Sequence, residues 1–243
     1  MYVRLTTNSA SPPASLGDFG ITSGPSPTVS VSEFTYRMGS EIYGEGEPAD
    51  YVYQVKSGAV QSYKLLSDGR RQIGAFHLPG DIFGLEHGGP HRFTAEAIVD
   101  TTVRFVNRKT LEIMADSDVV VARALLNIMS SNLSHVEDHL LLLGRQNSLE
   151  RVAAFLVEMD DRLTANGVME LPMTRRDIAD YLGLTVETVS RAISKFYKEG
   201  LLEFVGNTQR EIVVRNRQQL AMFGPKKANT SFRRCLASNS NAV

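Results

Sequence analysis

The sequence predicts an α+β fold in three successive parts: a small antiparallel β-barrel or roll, a long helix, and a C-terminal winged helix-turn-helix. Three observations predict it. Between residues 33 and 108, short apolar segments are punctuated by Gly39, Gly44, Gly46, Gly58, Gly69, Gly74 and Gly80. Residues 116–143 hold neither proline nor glycine and carry an apolar seam in steps of four and three. Residues 174–200 read as two helices with a tight corner, the second bearing a wholly polar stripe.

Residues 1–32 are rich in Ser, Pro, Gly and Thr without periodicity, so a flexible arm is expected. Residues 33–115 form the roll. Strands are expected at 52–58, 59–65, 71–76, 93–98 and 102–107, with Asp68–Gly69 as a hairpin turn and residues 78–81 as a turn before Ile82 and Phe83. Many short strands with this punctuation suit a closed antiparallel β structure. Residues 109–115 read as a short helix.

The long helix, 116–143, places Ala122, Leu126, Met129, Leu133, Val136, Leu140 and Leu143 at the a and d positions of a coiled coil. That seam is expected to meet a second copy of the chain, while Leu125, Leu141 and Leu142 pack on the roll. The plainer alternative is a core helix of a monomer.

Residues 144–224 are expected to make one DNA-binding domain. Gly144 ends the long helix and Ser148 caps another, whose buried face is Val152, Phe155, Leu156, Met159 and Leu163. Asn166–Gly167 is a turn, and 169–171 a short strand stopped by Pro172. Thr174 and Asp177 then have capping-box spacing. Ile178, Ala179 and Leu182 face a core, Gly183 ends the helix, and Leu184 is expected as a buried plug. Thr185 caps the second helix, whose buried stripe is Val189, Ala192, Ile193 and Phe196. Its opposite stripe is Glu187, Ser190, Arg191, Ser194 and Lys198. Arginine donates bidentately to guanine, glutamate accepts from the cytosine amino group, and serine does either, so this face suits a DNA major groove. Thr174, Arg175, Thr185, Thr188, Ser194 and Lys195 are expected on the sugar-phosphate backbone. Strands at 201–205 and 210–215 form a wing with Thr208, Gln209 and Arg210 at its tip, also for phosphates. Asn216 caps a last helix to Phe223, and 225–243 is a loose tail.

The formal net charge is −1 over 243 residues, of which 42% are hydrophobic. Two small cores can form, and the near-neutral total argues against a non-specific DNA-coating protein held by phosphate neutralisation, although it averages two domains of which only one needs to be basic. The single cysteine, Cys235, excludes a disulfide framework, zinc finger or cysteine-ligated iron–sulfur cluster within one chain. In a loose basic tail beside Arg233 and Arg234 it reads as incidental, with a redox handle as the alternative because the two arginines favour a thiolate. No apolar run reaches membrane length and no signal peptide opens the chain, so a cytoplasmic protein without a membrane partner is expected. His135 and His139 have chelating spacing, but two exposed histidines on a helix flank is the commoner arrangement. No metal is expected. An enzyme would need a catalytic constellation, and no histidine–acid–nucleophile set or phosphate loop stands out.

A roll, a long helix and a winged helix-turn-helix, in that order, resemble the CRP/FNR superfamily of bacterial transcription regulators, whose N-terminal roll is of the cyclic-nucleotide-binding type. Residues 175–191, RRDIADYLGLTVETVSR, look most like the FixK-like nitrogen-fixation regulators. The resemblance covers roughly 33–223, and its most specific part is Glu-x-x-Ser-Arg at Glu187, Ser190 and Arg191. It implies that Glu187 and Arg191 read base edges with Ser190 in support. It further implies a TTGA-like half-site in a palindrome, a homodimer, and activation through RNA polymerase. Two devices of the superfamily are altered or missing. Around the cyclic-nucleotide site the chain has Phe83-Gly84-Leu85-Glu86 and His91-Arg92-Phe93, with the glutamate out of order and Phe93 in place of a serine. No cysteine precedes Cys235, so the N-terminal cluster of oxygen sensors is missing. No haem ligand stands out among His77, His87 and His91. The expectation is therefore a regulator without a cofactor, with a ligand- or redox-gated version, and a structural dimer that does not touch DNA, as the alternatives.

Overall fold

The computed structural model describes residues 31–86, 89–145, 147–206 and 208–223. Residues 1–30 of the expected arm, His87, and the tail with Cys235 lie outside the described residues. The chain divides into two compact units, Met1–Leu141 with Pro172–Thr185, and Leu142–Leu171 with Val186–Val243.

The first unit contains β1 (Ser32–Tyr36), β2 (Glu41–Tyr43), β3 (Tyr51–Ser57), β4 (Val60–Leu65), β5 (Arg71–His77), β6 (Ile82–Phe83), β7 (Thr94–Ala97) and β8 (Thr101–Asn107). They form two four-stranded antiparallel sheets, in the orders β1-β8-β3-β6 and β2-β7-β4-β5. Strands β1 and β2 go beyond the sequence reading. One core joins the inner faces of both sheets: Tyr53, Val55, Phe83 and Val103 from the first, Tyr43, Val60 and Ala95 from the second. The outer face of the first sheet is covered too. Val52 of β3 and Val106 of β8 pack with Leu111 and Met114 of α1 (Arg108–Ser117) and Val121 of α2 (Val119–Leu143). Strand β3 is thus buried on both faces, which is why it reads as a nearly continuous apolar run instead of an alternation. At Gly58, φ is +88°, and an added Cβ would stand 2.4 Å from Thr101 Oγ1, so only glycine fits between β3 and β4.

The helices separate at Asp118, not at Ala115. Asp118 is extended, and its carboxylate accepts from Val120 N at 2.8 Å, starting α2. Ala124, Leu125 and Ile128 of α2 pack on the outer core. Leu141, expected beside them, is exposed. So is most of the seam: Leu126, Met129, Leu133, Val136 and Leu140 are all exposed, with Ala122 and Leu143 half-buried.

Helix α4 (Arg175–Leu182) also belongs to this unit. Both halves of its capping box form: Thr174 accepts from Asp177 N, and Asp177 accepts from Thr174 N. Gly183 closes it at φ 61°, in the left-handed region. Leu184 is half-buried, so the expected plug is only partial.

The second unit holds α3 (Ser148–Leu163), β9 (Thr164–Ala165), β10 (Val168–Glu170), α5 (Val186–Lys198), β11 (Leu202–Val205), β12 (Glu211–Val214) and α6 (Arg217–Phe223). The N-cap of α3 is Asn147, whose side chain accepts from Leu149 N at 2.9 Å; Ser148, expected to cap, is the first helical residue. The strands form one sheet in the order β11-β12-β10-β9. Asn166 and Gly167, both at positive φ, make the tight turn between β9 and β10. Val152, Phe155, Leu156, Ile193, Phe196, Ile212 and Leu220 are all buried. Arg217 ties α6 to α3 through Asp160, at 3.0 Å, and Asp161.

Candidate nucleic-acid interface

Helix α5 is oriented by its apolar side. Val189, Ala192, Ile193 and Phe196 recur at three and four, and none is more than 2% exposed. Burying a large apolar side chain is worth about 1.5–3 kcal/mol, so several together fix the rotation of the helix about its axis. The polar side is then forced outward. The side chains of Glu187 and Arg191 are 71% and 79% exposed. They line one open depression along the helix with Ser190, Ser194, Lys195, Lys198 and Glu199. Glu187 sits in the first turn, Lys195 and Lys198 in the last, each where the helix dipole favours its charge.

Arg191 Nη2 donates to Glu187 Oε1 at 2.5 Å. The two are four apart, hence on one face. An exposed pair of this kind is worth about 0.3–0.5 kcal/mol. A bidentate base contact is worth about 1–3 kcal/mol of discrimination. The pair is therefore weak enough that a base contact of that strength would displace it. Lys195 leans over the Phe223 ring at 5.8 Å and is 3.8 Å from Glu199.

The wing is formed by β11 and β12, paired from Leu202↔Val214 to Val205↔Glu211. Stacking of Tyr197 on Phe204, 5.0 Å between centroids, joins it to α5, and Arg215 pairs with Glu203 across it at 2.5 Å. Thr208, Gln209 and Arg210 are exposed at its tip, with Gln209 at φ 55°. At the start of α4, Thr174 is exposed but Arg175 is half-buried, and desolvation lowers the pKa of its guanidinium. Arg176 is the exposed cation there, which the sequence reading passed over. Thr185 is exposed and Thr188 half-buried.

The roll's polar residues engage one another. His91 is 2% exposed, stacks on Tyr43 at 3.5 Å and 10°, and its Nδ1 lies 3.2 Å from Glu86 Oε2. Phe93 packs against Gly74, where an added Cβ would meet the ring at 3.0 Å. His139, expected as an exposed partner of His135, is half-buried and stacks on Tyr181 at 4.0 Å; His135 is exposed. Among the described residues no group of three or more His, Cys, Asp or Glu side chains is arranged to hold a metal ion, and no helix is long and apolar enough to cross a membrane.

Two family models match. Residues 150–223 match the Crp-like helix-turn-helix domain, and residues 33–118 the cyclic nucleotide-binding domain. The nitrogen fixation regulation protein FixK of Rhizobium meliloti is 46% identical over 168 residues, covering 69% of this chain and 76% of that protein. FixK of Azorhizobium caulinodans is 43% identical over 190 residues, covering 76% of each. The solved structure of FixK2 from Bradyrhizobium japonicum superposes with a TM-score of 0.78 at 62% identity, covering 82% of this chain and 99% of that one.

Proposed function

The chain belongs to the CRP/FNR superfamily of transcription regulators, closely related to the FixK-type nitrogen-fixation regulators, and on that premise we propose that it activates transcription as a homodimer at a TTGA-type palindrome. One observation carries the reading: the polar face of α5, with Glu187 and Arg191 exposed and Ser190 half-buried between them, opposite a buried apolar stripe. Glu187 and Arg191 read bases and Ser190 supports them. Thr174, Arg175, Thr185, Thr188, Ser194 and Lys195 hold the backbone, with Thr208, Gln209 and Arg210 from the wing and the exposed Arg176 beside them. The exposed seam of α2 pairs two copies, so that two reading helices meet two half-sites related by a two-fold axis. In this division 33–115 is a sensor-like roll, 116–143 the dimer helix and 144–224 the DNA-binding domain. Contact with RNA polymerase accounts for activation, and the names of the relatives favour nitrogen-fixation promoters among its targets. The mutual engagement of Glu86, His91 and Tyr43 favours a form that binds DNA without a cofactor.

A titration of purified protein in air, at stated salt and without additives, tests this. One duplex carries the symmetric TTGA-type palindrome, and the other has both half-sites scrambled. A marked preference for the palindrome is expected. Equal binding to both at every salt concentration removes sequence-specific reading by the cofactor-free protein.

A further inference from the structure

Helix α4 is gripped by the roll through side chains that lie far from it in sequence. Arg71 of β5 reaches Asp180 Oδ2, with Nη2 at 2.9 Å and Nε at 3.0 Å, and its Nη2 also donates to Asp177 Oδ1. The next residue of β5 joins in: Gln72 Nε2 donates to the main-chain oxygen of Asp180 at 2.8 Å. Tyr181 completes the grip, 5.0 Å from the ring of Phe76 in β5 and 4.0 Å from that of His139 in α2. Residues 177, 180 and 181 share one face of α4, at i, i+3 and i+4. The Arg71, Asp177 and Asp180 side chains are 24%, 11% and 26% exposed, so water screens them less than it screens a surface pair.

The grip is not needed to make α4 a helix. Asp177 divides its oxygens: Oδ2 accepts from Thr174 N at 2.8 Å and Thr174 Oγ1 at 2.6 Å, closing the capping box, while Oδ1 serves Arg71. Gly183 caps the other end. What Arg71 adds is position.

We propose that Arg71 is a positioning residue for DNA reading. It clasps α4 of the helix-turn-helix on β5, and the chain leaves the clasped helix through Gly183, Leu184 and Thr185 to enter α5. The inference rests on the function proposed above.

The test is Asp180→Arg, which sets like charge against Arg71. It also adds two positive charges to a DNA-binding protein, and added charge by itself tightens binding to any duplex. The clasp makes the opposite prediction for the palindrome: affinity falls roughly five- to tenfold, while the scrambled duplex is bound as well or better. Adding Arg71→Asp reverses the pair and restores palindrome affinity toward wild type. Tighter palindrome binding by Asp180→Arg alone overturns the proposal. Hydrogen exchange of α4 amides in DNA-free protein supplies a readout that needs no operator. Exchange is faster in Asp180→Arg, recovers in the double variant, and leaves strands β3 and β8 unchanged; unaltered α4 exchange overturns the clasp. If wild type shows no palindrome preference, the functional reading has failed, and the exchange result alone decides the clasp.

Discussion

Two helices of this chain carry apolar residues at steps of three and four, and the chain treats them in opposite ways. On α5, Val189, Ala192, Ile193 and Phe196 are buried to within 2% of completely. On α2, Leu126, Leu133, Val136 and Leu140 stay 59–68% exposed. The difference lies in what else each helix carries. Helix α5 has a single apolar stripe, and its own unit consumes it. Helix α2 has two, and Val121, Ala124, Leu125 and Ile128 already meet the roll. Apolar spacing thus predicts that a face will be covered but not by what. A contiguous exposed row of this kind is the surface that the proposed dimer would cover.

The sharpest way to break the comparison is to damage each stripe. Phe196→Ala opens a cavity in a full core and is expected to cost about 3–5 kcal/mol of stability in the second unit, read by denaturant unfolding. Leu133→Glu removes nothing that is buried within one chain. Its expected effect is on assembly: the mass in sedimentation halves while the circular dichroism of the folded chain persists. An intact dimer after Leu133→Glu would show that the seam is not the pairing surface.

Next in size is the polar side of α5. Arg191→Ala is expected to reduce discrimination between palindrome and scrambled duplex by about 1–3 kcal/mol, with little change at the scrambled one. Equal losses at both duplexes would make Arg191 a phosphate ligand, not a reader. The ion pair with Glu187 barely enters this balance, since an exposed pair contributes only a few tenths of a kcal/mol.

The local features were legible because local rules govern them. The stripe of α5, the Thr174–Asp177 capping box, the αL Gly183 and the wing strands all follow from spacings within one or two turns. Strands β1 and β2 were missed because they are short and half-exposed, so neither alternation nor an apolar run announces them. Asn147 displaced Ser148 as a cap because either side chain serves, and spacing alone does not choose. In the candidate site, the residue types of the polar face of α5 were legible, whereas the half-burial of Arg175 and the exposure of Arg176 follow from the rotation of α4. The Arg71 clasp was invisible, since its partners are 106 and 109 residues away and no periodicity links them. His139 was misjudged for the same reason, its environment being set by Tyr181.

That histidine supplies the smallest effect, and it sharpens the comparison by showing that α2 has buried chemistry as well as an exposed seam. Its Nδ1 is buried without a hydrogen-bond partner, and burial lowers its pKa from the ordinary 6.5 to about 4. Well above pH 6.5 the imidazole is neutral whether the chain is folded or not, and it gives no pH dependence. Between pH 6.5 and about 4 the unfolded chain takes up a proton that the folded one refuses, so stability falls as pH falls. His139→Phe keeps a ring against Tyr181 and removes the titration. Other carboxylates and histidines titrate in the same range, but they cancel in the difference between the two proteins. Denaturant midpoints taken at pH 7.5 and 5 are therefore expected to separate in favour of His139→Phe only at the lower value. Parallel curves would mean that His139 is protonated in the folded chain, with its ring turned to water and away from Tyr181.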